Sequence, residues 1–292
     1  MSGDIWISLL IAGLSRAMIY FLLASGLTLI FGVLKVINFA HGAFYMLGIF
    51  ICYSVVKLTG NFAVAFLIIP LVFGLVIGGL TETVLFRRVY KAEHVMQLLL
   101  SIGVTYIIAD VVKIIWGVSP YSVGMPEIFR GFFSLGGITI TKYNLFIIAI
   151  SLVTALAMFA VLYKTKIGSI IRACTYNREM TMTAGVNVSR VFTIVFVVGT
   201  ALAGLASVTA APITTGMLGM DNEMIMIVFS VVIIGGAGSI TGALLGATII
   251  GVVEALAVPL LPEFAEVIMY VIVAIVLLFK PQGLFGKSEA RV

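Results

Sequence analysis

Residues 143–163 (YNLFIIAISLVTALAMFAVLY) and 191–210 (VFTIVFVVGTALAGLASVTA) are apolar, and the basic stretch KTKIGSIIRACTYNREMTMTAGVNVSR (164–190) joins them. An apolar run of about twenty residues is long enough to cross the hydrocarbon core of a membrane as a helix. The joining stretch holds one acid, Glu179, and five basic residues: Lys164, Lys166, Arg172, Arg178 and Arg190. This pattern predicts two membrane helices connected by a helical cytoplasmic loop over 164–190.

The composition extends this interpretation to the whole chain. Of 292 residues, 62% are hydrophobic and 10% are charged, and the mean hydropathy is +1.26. A soluble domain is about one quarter charged, so we expect a polytopic membrane protein. The long apolar runs favour an all-α fold over a barrel. The sequence predicts one domain over 1–292, with spans near 5–31, 42–58, 61–84, 96–116, 143–163, 189–213 and 264–280.

A further apolar run, 223–257, is too long for one span. The sequence Gly235-Gly236-Ala237-Gly238-Ser239 interrupts it, which predicts a hairpin of two helical pieces that is either re-entrant or reaches the inner face. The total is therefore eight to nine membrane helices. The loop 117–142 is the largest external loop, and a short strand pair is expected near Ile138–Thr141.

The distribution of Lys and Arg predicts that the N-terminus is outside and the C-terminus inside. In that orientation only three basic residues of the loops face outside, Lys57, Arg130 and Lys142. The inner set is Lys35, Arg87, Arg88, Lys91, the five basic residues of 164–190, Lys280, Lys287 and Arg291. Asp4, Glu127, Asp221, Glu223, Glu263 and Glu266 then fall outside.

Two polar or Gly-rich segments interrupt the apolar sequence. Asn38, Phe39, His41 and Gly42 form either an interfacial turn or a broken helix that lines a cavity. Gly235, Gly236, Gly238 and Ser239 either allow close helix packing or expose carbonyl groups to a pathway. Charges within the spans are functional candidates by default. Arg16 is expected to face the protein interior, and Glu82 and Glu254 lie near span ends. Asp110 and Lys113 are three residues apart, a spacing that allows them to pair on one helix face.

The basic loop predicts a helix of about four turns over Ser169–Thr183. Gly168 precedes it, Ala184 and Gly185 end it, and Asn187 or Ser189 caps the next helix. The loop either lies on lipid or docks a cytoplasmic partner. Its apolar face is short, with Ile170, Ile171 and Cys174, which favours docking.

The sequence carries no metal-ligand cluster, no nucleophile with a base and no nucleic-acid signature, so neither catalytic residues nor a metal site are expected. Gly286-Lys287-Ser288 resembles the end of a phosphate loop, but Pro281 occupies the position of its first Gly. The sequence therefore shows no recognisable ATP site of its own.

Four collinear blocks together resemble a known family: GLTLIFGVLKVINFAHGAFYMLG (26–48), 165–206, VIIGGAGSITGALLGATIIGVVEAL (232–256) and FKPQGLFG (279–286). They are similar to the shorter permease of Liv-type ABC transporters for branched-chain amino acids. The resemblance implies a multi-pass protein of a bacterial or archaeal plasma membrane, which forms a translocation path with a second related permease.

It also implies two cytoplasmic ATPase subunits and a periplasmic or extracellular substrate-binding protein as partners. By this resemblance the coupling residues are Gly168, Arg172, Arg178, Glu179, Ala184 and Gly185, and the two interrupted segments lie in the core of the path. Ala43 stands where the family often has an acid, and acids are common where Thr175-Tyr176-Asn177 stands here. Urea, amides or aromatic acids are alternative substrates, and a stand-alone ion-coupled carrier or channel is the alternative of a different class.

Overall fold

The computed structural model describes residues 3–135 and 138–286. Seven helices in this part of the chain are long and apolar enough to cross a membrane, which confirms the prediction of an all-α polytopic membrane protein. Lys287, Ser288 and Arg291, and two residues of the 117–142 loop, lie outside the described residues. The helices are α1 (Gly3–Leu34), α2 (Ala40–Thr59), α3 (Phe62–Val72), α4 (Arg87–Val89), α5 (His94–Trp116), α6 (Lys142–Lys164), α7 (Lys166–Tyr176), α8 (Arg178–Thr183), α9 (Val188–Ala210), α10 (Met220–Gly235), α11 (Ile240–Leu260) and α12 (Ala265–Phe279).

Helix α1 is the most enclosed element of the fold. It contacts α6, α9, α10 and α11, and its segment 17–30 is completely buried. Its packing against α11 depends on Gly251, where a Cβ atom would lie 2.7 Å from the Cα of Ala17. Close backbone approach of this kind explains the high Gly content, because apolar side chains gain little by leaving lipid for a helix interface.

Helices α3 and α4 belong to one continuous helix, Phe62–Val89. Two π-helical stretches, Phe73–Gly78 and Thr81–Phe86, widen its turns in the middle. Pro70, which lacks an N–H group, precedes them. Gly74 and Gly78 pack against α9, so the widened segment lies directly on that helix. Nothing in the sequence pattern predicts these stretches.

The loop between α5 and α6 contains a small antiparallel sheet. Strand β1 (Phe132–Leu135) pairs with β2 (Ile138–Thr141) in the register Phe132 to Thr141, at the position where a strand pair is expected. The backbone N–H of Thr139 lies 3.4 Å from Oγ of Ser8 in α1. We call this end of the helix bundle the β-hairpin end.

The predicted helical hairpin consists of α10 and α11, and Gly236 (φ 97°) and Gly238 (φ 84°) form its turn. The turn contacts Gly32, near the end of α1, and Gly286, after α12. The amides of Leu284 and Phe285 donate to the carbonyls of Ile234 and Gly235. The turn therefore lies at the end of the bundle where α1 and α12 finish, which we call the loop end because α7 also packs against α1 there.

Candidate functional site

The midpoint of α9 defines a reference level inside the bundle. Gly199 has eleven residues of α9 on each side, about 16 Å of helix, so it lies halfway between the two ends. Gly26 of α1 packs against it, because a Cβ at Gly199 would lie 2.9 Å from the carbonyl oxygen of Gly26. We call the level of Gly26 and Gly199 the half-depth level.

Helix α2 begins at this level and not at an end of the bundle. Nε2 of His41 lies 3.0 Å from the carbonyl oxygen of Leu23, which can only accept, so Nε2 carries the hydrogen. Residues 35–39 connect the end of α1 to this point without helical structure, and Lys35 has a positive φ of 58°. The chain thus runs back into the bundle before α2 starts. The broken-helix interpretation of Asn38–Gly42 fits this geometry, and the interfacial turn does not.

Helix α10 begins beside α2 at the same level. A Cβ at Gly42 would lie 2.9 Å from Cβ of Ile225 and also against the carbonyl oxygen of Asp221, which requires Gly at this position. One turn further, the rings of Phe39 and Phe229 lie 4.8 Å apart. Helices α2 and α10 leave this point in opposite directions. Two helix N-termini, each with a partial positive charge, therefore meet inside the bundle.

Polar groups at this junction are buried and incompletely satisfied. Oδ1 of Asn38 accepts from the amide of Ala40 at 3.1 Å. Nδ2 of Asn38 and Nδ1 of His41 have no hydrogen-bond partner among the described residues, although both side chains are fully buried. Asp221 is also buried and accepts backbone hydrogen bonds at the start of α10. Unpaired buried polar groups cost free energy, so this region is a candidate for substrate contact or rearrangement.

The structure does not bring the two interrupted segments together. Gly235, Gly236, Gly238 and Ser239 lie at the loop end, with Gly238 beside Gly32. The side chain of Ser239 caps α11 by accepting from the amide of Gly242 at 3.0 Å. Six residues of α1, about 9 Å of helix, separate Gly32 from Gly26 at the half-depth level. This segment shapes the turn at the bundle end, whereas Asn38–Gly42 lies at its centre.

The loop between α6 and α9 forms two helices where one was predicted. Asn177 breaks the helix with an extended conformation (φ −151°, ψ 103°), and its side chain accepts from the amide of Met180 at 2.9 Å to start α8. The competition between an Asn side chain and the helical backbone explains the break. Gly185 has the positive φ expected of a helix end, 82°, and Asn187 is the residue that caps α9.

Side-chain contacts attach this loop to the membrane helices. Gly168 packs directly on the carbonyls of Val161 and Leu162 at the end of α6. The guanidinium of Arg172 lies 5.2 Å from the ring of Tyr163. That of Arg178 lies 4.7 Å from the ring of Phe192 in α9. Glu179, Ala184 and Gly185 are exposed, as are the apolar side chains of Ile167, Met180 and Met182.

A buried acid connects the same region to the widened helix. Glu82 is fully buried among the described residues. Arg87 donates to its two oxygens at 3.2 and 2.8 Å, Tyr90 donates at 3.0 Å, and Thr193 of α9 donates at 2.8 Å. The ring of Tyr90 packs on that of Phe192 at 5.3 Å. We call Glu82, Arg87, Tyr90, Phe192 and Thr193 the Glu82 network.

The remaining charges within the spans divide into two cases. Arg16 does not face the protein interior, since about half of its side chain is exposed, and its Nη1 pairs with Glu254 at 2.6 Å. Tyr20 donates to the other oxygen of Glu254 at 2.7 Å. Asp110 and Lys113 are both described and exposed, and no ion pair joins them. Within residues 3–135 and 138–286 no group of acidic, His or Cys side chains could hold a metal ion.

Comparison with known proteins decides the family. The family model described as "Branched-chain amino acid transport system / permease component" matches residues 9–278. The chain belongs to this family. The permease is 28% identical to the high-affinity branched-chain amino acid transport system permease protein LivH of Escherichia coli, over 96% of this chain and 95% of that protein. No solved structure matches it.

Two other relatives are also described as branched-chain amino acid transport permeases. The permease is 26% identical to BraD of Pseudomonas aeruginosa, a high-affinity branched-chain amino acid transport system permease protein, over 97% of this chain and 96% of BraD. It is 28% identical to the probable branched-chain amino acid transport permease LivH of Methanocaldococcus jannaschii, over 91% and 88%. The chain is therefore a membrane transport subunit and not an enzyme. Its family implies ATP use by partner ATPases and a substrate-binding partner.

Proposed function

We propose that this permease forms half of the translocation path of an ATP-driven importer for branched-chain and other hydrophobic amino acids. In this proposal it pairs with a second, related permease in the plasma membrane of a bacterium or archaeon. Two ATPase subunits bind at the loop end, and a binding protein delivers substrate at the β-hairpin end. The N-terminus is outside and the C-terminus inside, so the basic loop 164–190 faces the ATPases. The names of the similar proteins support the choice of substrate.

The observation that carries the proposal is that the exposed loop 164–190 is attached to α9, the helix whose Gly199 lies at the half-depth level. Helices α7 and α8 present Met180, Met182 and Ile167 to solvent, and these apolar side chains suit a groove on a partner protein. Arg178 holds α8 against Phe192 of α9. A displacement of α8 would then move α9, including Gly199, eleven residues from the start of that helix.

A pair of matched variants tests this role. Gly185 has φ 82° and donates its amide to Met182, and Gly60, at the turn after α2, has φ 67° and donates to Val56. Proline cannot adopt a positive φ or donate, so both substitutions disrupt a similar turn. We expect Gly185→Pro to abolish uptake of L-leucine in cells that express the complete transporter. Gly60→Pro is expected to retain uptake, with both variants present in the membrane at normal levels.

A second substitution probes the same loop without changing its backbone. Arg172→Glu replaces the cation above Tyr163 with an acid, which removes the attraction to the ring. We expect this variant to hydrolyse ATP at the basal rate and to lose substrate-stimulated hydrolysis. Normal uptake by both Gly185→Pro and Arg172→Glu would refute the coupling role of the loop.

A transport assay distinguishes branched-chain amino acids from the alternative substrates. Urea, amides and aromatic acids would be carried by the same architecture, and the decisive assay is competition against labelled L-leucine in the reconstituted importer. Strong competition by L-valine and L-isoleucine, with none by urea, supports the proposal. Membership in a family of transport-system components favours this importer over a stand-alone carrier.

A further inference from the structure

The connection between α9 and α10 is irregular and lies inside the depth of the bundle. Helix α9 ends at Ala210, and α10 begins at the half-depth level, about 16 Å deeper. Within residues 211–219, Gly216 pairs with Tyr121 through backbone hydrogen bonds of 2.8 and 2.9 Å. A Cβ at Gly216 would lie 2.8 Å from Cγ2 of Ile49 in α2. The connection therefore runs along α2 down to the half-depth level.

The first turns of α10 expose a patch of side chains at this level. Asn222, Glu223 and Met226 are exposed, whereas Asp221 is buried. The carbonyl oxygen of Asp221 lies against Gly42, which fixes the depth of this part of α10. Residues three or four positions apart on a helix are neighbours, so Met226 lies beside both Asn222 and Glu223. We call Asn222, Glu223 and Met226 the α10 patch.

The irregular segment that leads to the α10 patch is open as well. Ile213, Thr215, Met217 and Gly219 are exposed. Irregular backbone at membrane depth does not face lipid, because its polar groups would lack hydrogen-bond partners, and it is found where it lines water or is covered by protein. The surface next to the α10 patch therefore faces water or another protein chain, as the wall of a path for a polar substrate does.

The charge of Glu223 has no structural use in this chain. Asp221 accepts hydrogen bonds from the backbone amides at the start of α10, so that the helix N-terminus is capped without Glu223. No ion pair joins Glu223 to another residue in the part of the chain that the structure describes. An acid is costly at the centre of a membrane, and such residues mark substrate and ion pathways. The position of Glu223 therefore points to a cationic group that is supplied from outside this chain.

Resting on the proposed function, we infer that the α10 patch is the substrate site of the path and that Glu223 binds the α-ammonium group of the amino acid. A carboxylate accepts strong, charge-assisted hydrogen bonds from an ammonium group. The side-chain amide of Asn222 donates to the α-carboxylate, and the flexible apolar side chain of Met226 contacts the branched side chain. The three residues lie within about one helical turn, a distance that one amino acid covers. The site requires an ammonium group, which excludes urea and simple amides.

Thiol labelling tests whether water reaches the α10 patch. Met226→Cys is introduced into the complete transporter, in which the native Cys52 and Cys174 are buried. A charged, water-soluble thiol reagent is expected to modify Met226→Cys and to leave Val153→Cys, at an exposed mid-span position of α6, unmodified. Absence of labelling at Met226→Cys, both with and without ATP, would show that protein or lipid covers the patch, and this result overturns the inference.

Ligand protection then tests the role of Glu223. L-Leucine and 3-methylbutylamine, which both carry an ammonium group, are expected to slow labelling of Met226→Cys, whereas 4-methylpentanoate, which lacks it, does not. Adding Glu223→Gln raises the half-protecting concentration of L-leucine about tenfold or more, the effect of losing one charge-assisted hydrogen bond. It also removes the advantage of the amine over the acid. Glu223→Asp keeps the charge and this advantage, and Glu127→Gln, the same change at an exposed loop position, leaves protection unaltered.

The outcomes distinguish this inference from the proposed function. An unchanged half-protecting concentration in Glu223→Gln overturns the site, even if ATP-driven uptake is normal. Glu223 is exposed and Gln has nearly the same shape, so the fold of Glu223→Gln is expected to be intact. Absence of ATP-driven uptake by the parent transporter, with protection by L-leucine retained, contradicts the proposed function and leaves the site standing.

Discussion

Substitution of Glu82 with Gln tests whether the loop drives the membrane helices through the Glu82 network. The carboxylate accepts four hydrogen bonds, two from Arg87 and one each from Tyr90 and Thr193. Gln has nearly the same shape, but it is neutral and its NH2 group cannot accept. At least one donor therefore loses its partner, and an N–H group of Gln faces the Arg87 guanidinium.

The magnitude follows from these contacts. A hydrogen bond to a charged group contributes about 1.5–3 kcal/mol, and the variant weakens two or more of them. Arg87 is 42% exposed, so water replaces part of what it loses. Of the four hydrogen bonds, only the one from Thr193 joins this helix to α9, so we expect a net loss of about 1.5 kcal/mol in the attachment of the Phe62–Val89 helix to α9. That loss corresponds to a population change of about tenfold between attached and detached arrangements.

The assay measures coupling and not only activity. In proteoliposomes with the complete transporter, Glu82→Gln is expected to keep basal ATP hydrolysis and to lower the number of L-leucine molecules imported per ATP. Glu127→Gln is the matched control, because Glu127 is exposed in the β-hairpin-end loop and contacts Arg130 only at 3.7 Å. An unchanged ratio of import to hydrolysis in Glu82→Gln, together with an unchanged melting temperature, would refute the reasoning.

Two further predictions concern packing and reactivity. Gly48→Val is expected to destabilise the purified permease by more than about 2 kcal/mol, as overpacked cores do. The reason is that a Cβ at Gly48 would lie 2.6 Å from Cβ of Ser207. The measurement is thermal unfolding, and the control is Gly103→Val, because a Cβ at Gly103 would meet no described atom outside its own helix within 4 Å. Burial raises the pKa of the Cys174 thiol in α7, although Thr181 and Arg178 act in the opposite direction. Alkylation of Cys174 in a Cys52→Ala background is therefore expected to be slow at pH 7 and to accelerate as the pH rises, and rapid alkylation at pH 7 would contradict the buried position.

The spans and the helical hairpin could be predicted because they depend on apolar length and on Gly. The break at Gly235–Ser239 appears where positive φ is needed, and residues with that preference are visible in the sequence. Asn187 as the cap of α9 and the strand pair at Ile138–Thr141 follow from similarly local preferences. In these cases the conformational preferences of a few neighbouring residues were sufficient to predict the structure.

The half-depth level could not be predicted because hydropathy reports polarity and not depth. Residues 35–39 look like an interfacial loop in sequence, yet they run back into the bundle to place His41 beside Leu23. The same limit applies to Asp221 and Glu223, which were expected outside the membrane. Asp221 lies against Gly42 at the half-depth level, where its side chain accepts hydrogen bonds from local backbone amides at the start of α10.

The roles of individual charges depended on long-range pairing. Glu254 was expected near a span end, and it binds Arg16 across 238 positions of sequence. Asp110 and Lys113 have helical spacing for a pair and do not form one. Asn177, whose side chain stops the predicted loop helix, could have been recognised, since Asn favours caps over helix interiors.

ATP dependence of uptake tests the central claim most directly. Labelled L-leucine import is measured in proteoliposomes that contain either this permease alone or the permease with its second permease, ATPases and binding protein. The proposed importer predicts import only by the complete set and only with ATP on the side of the loop 164–190. Import by this permease alone, driven by an ion gradient, would contradict the account.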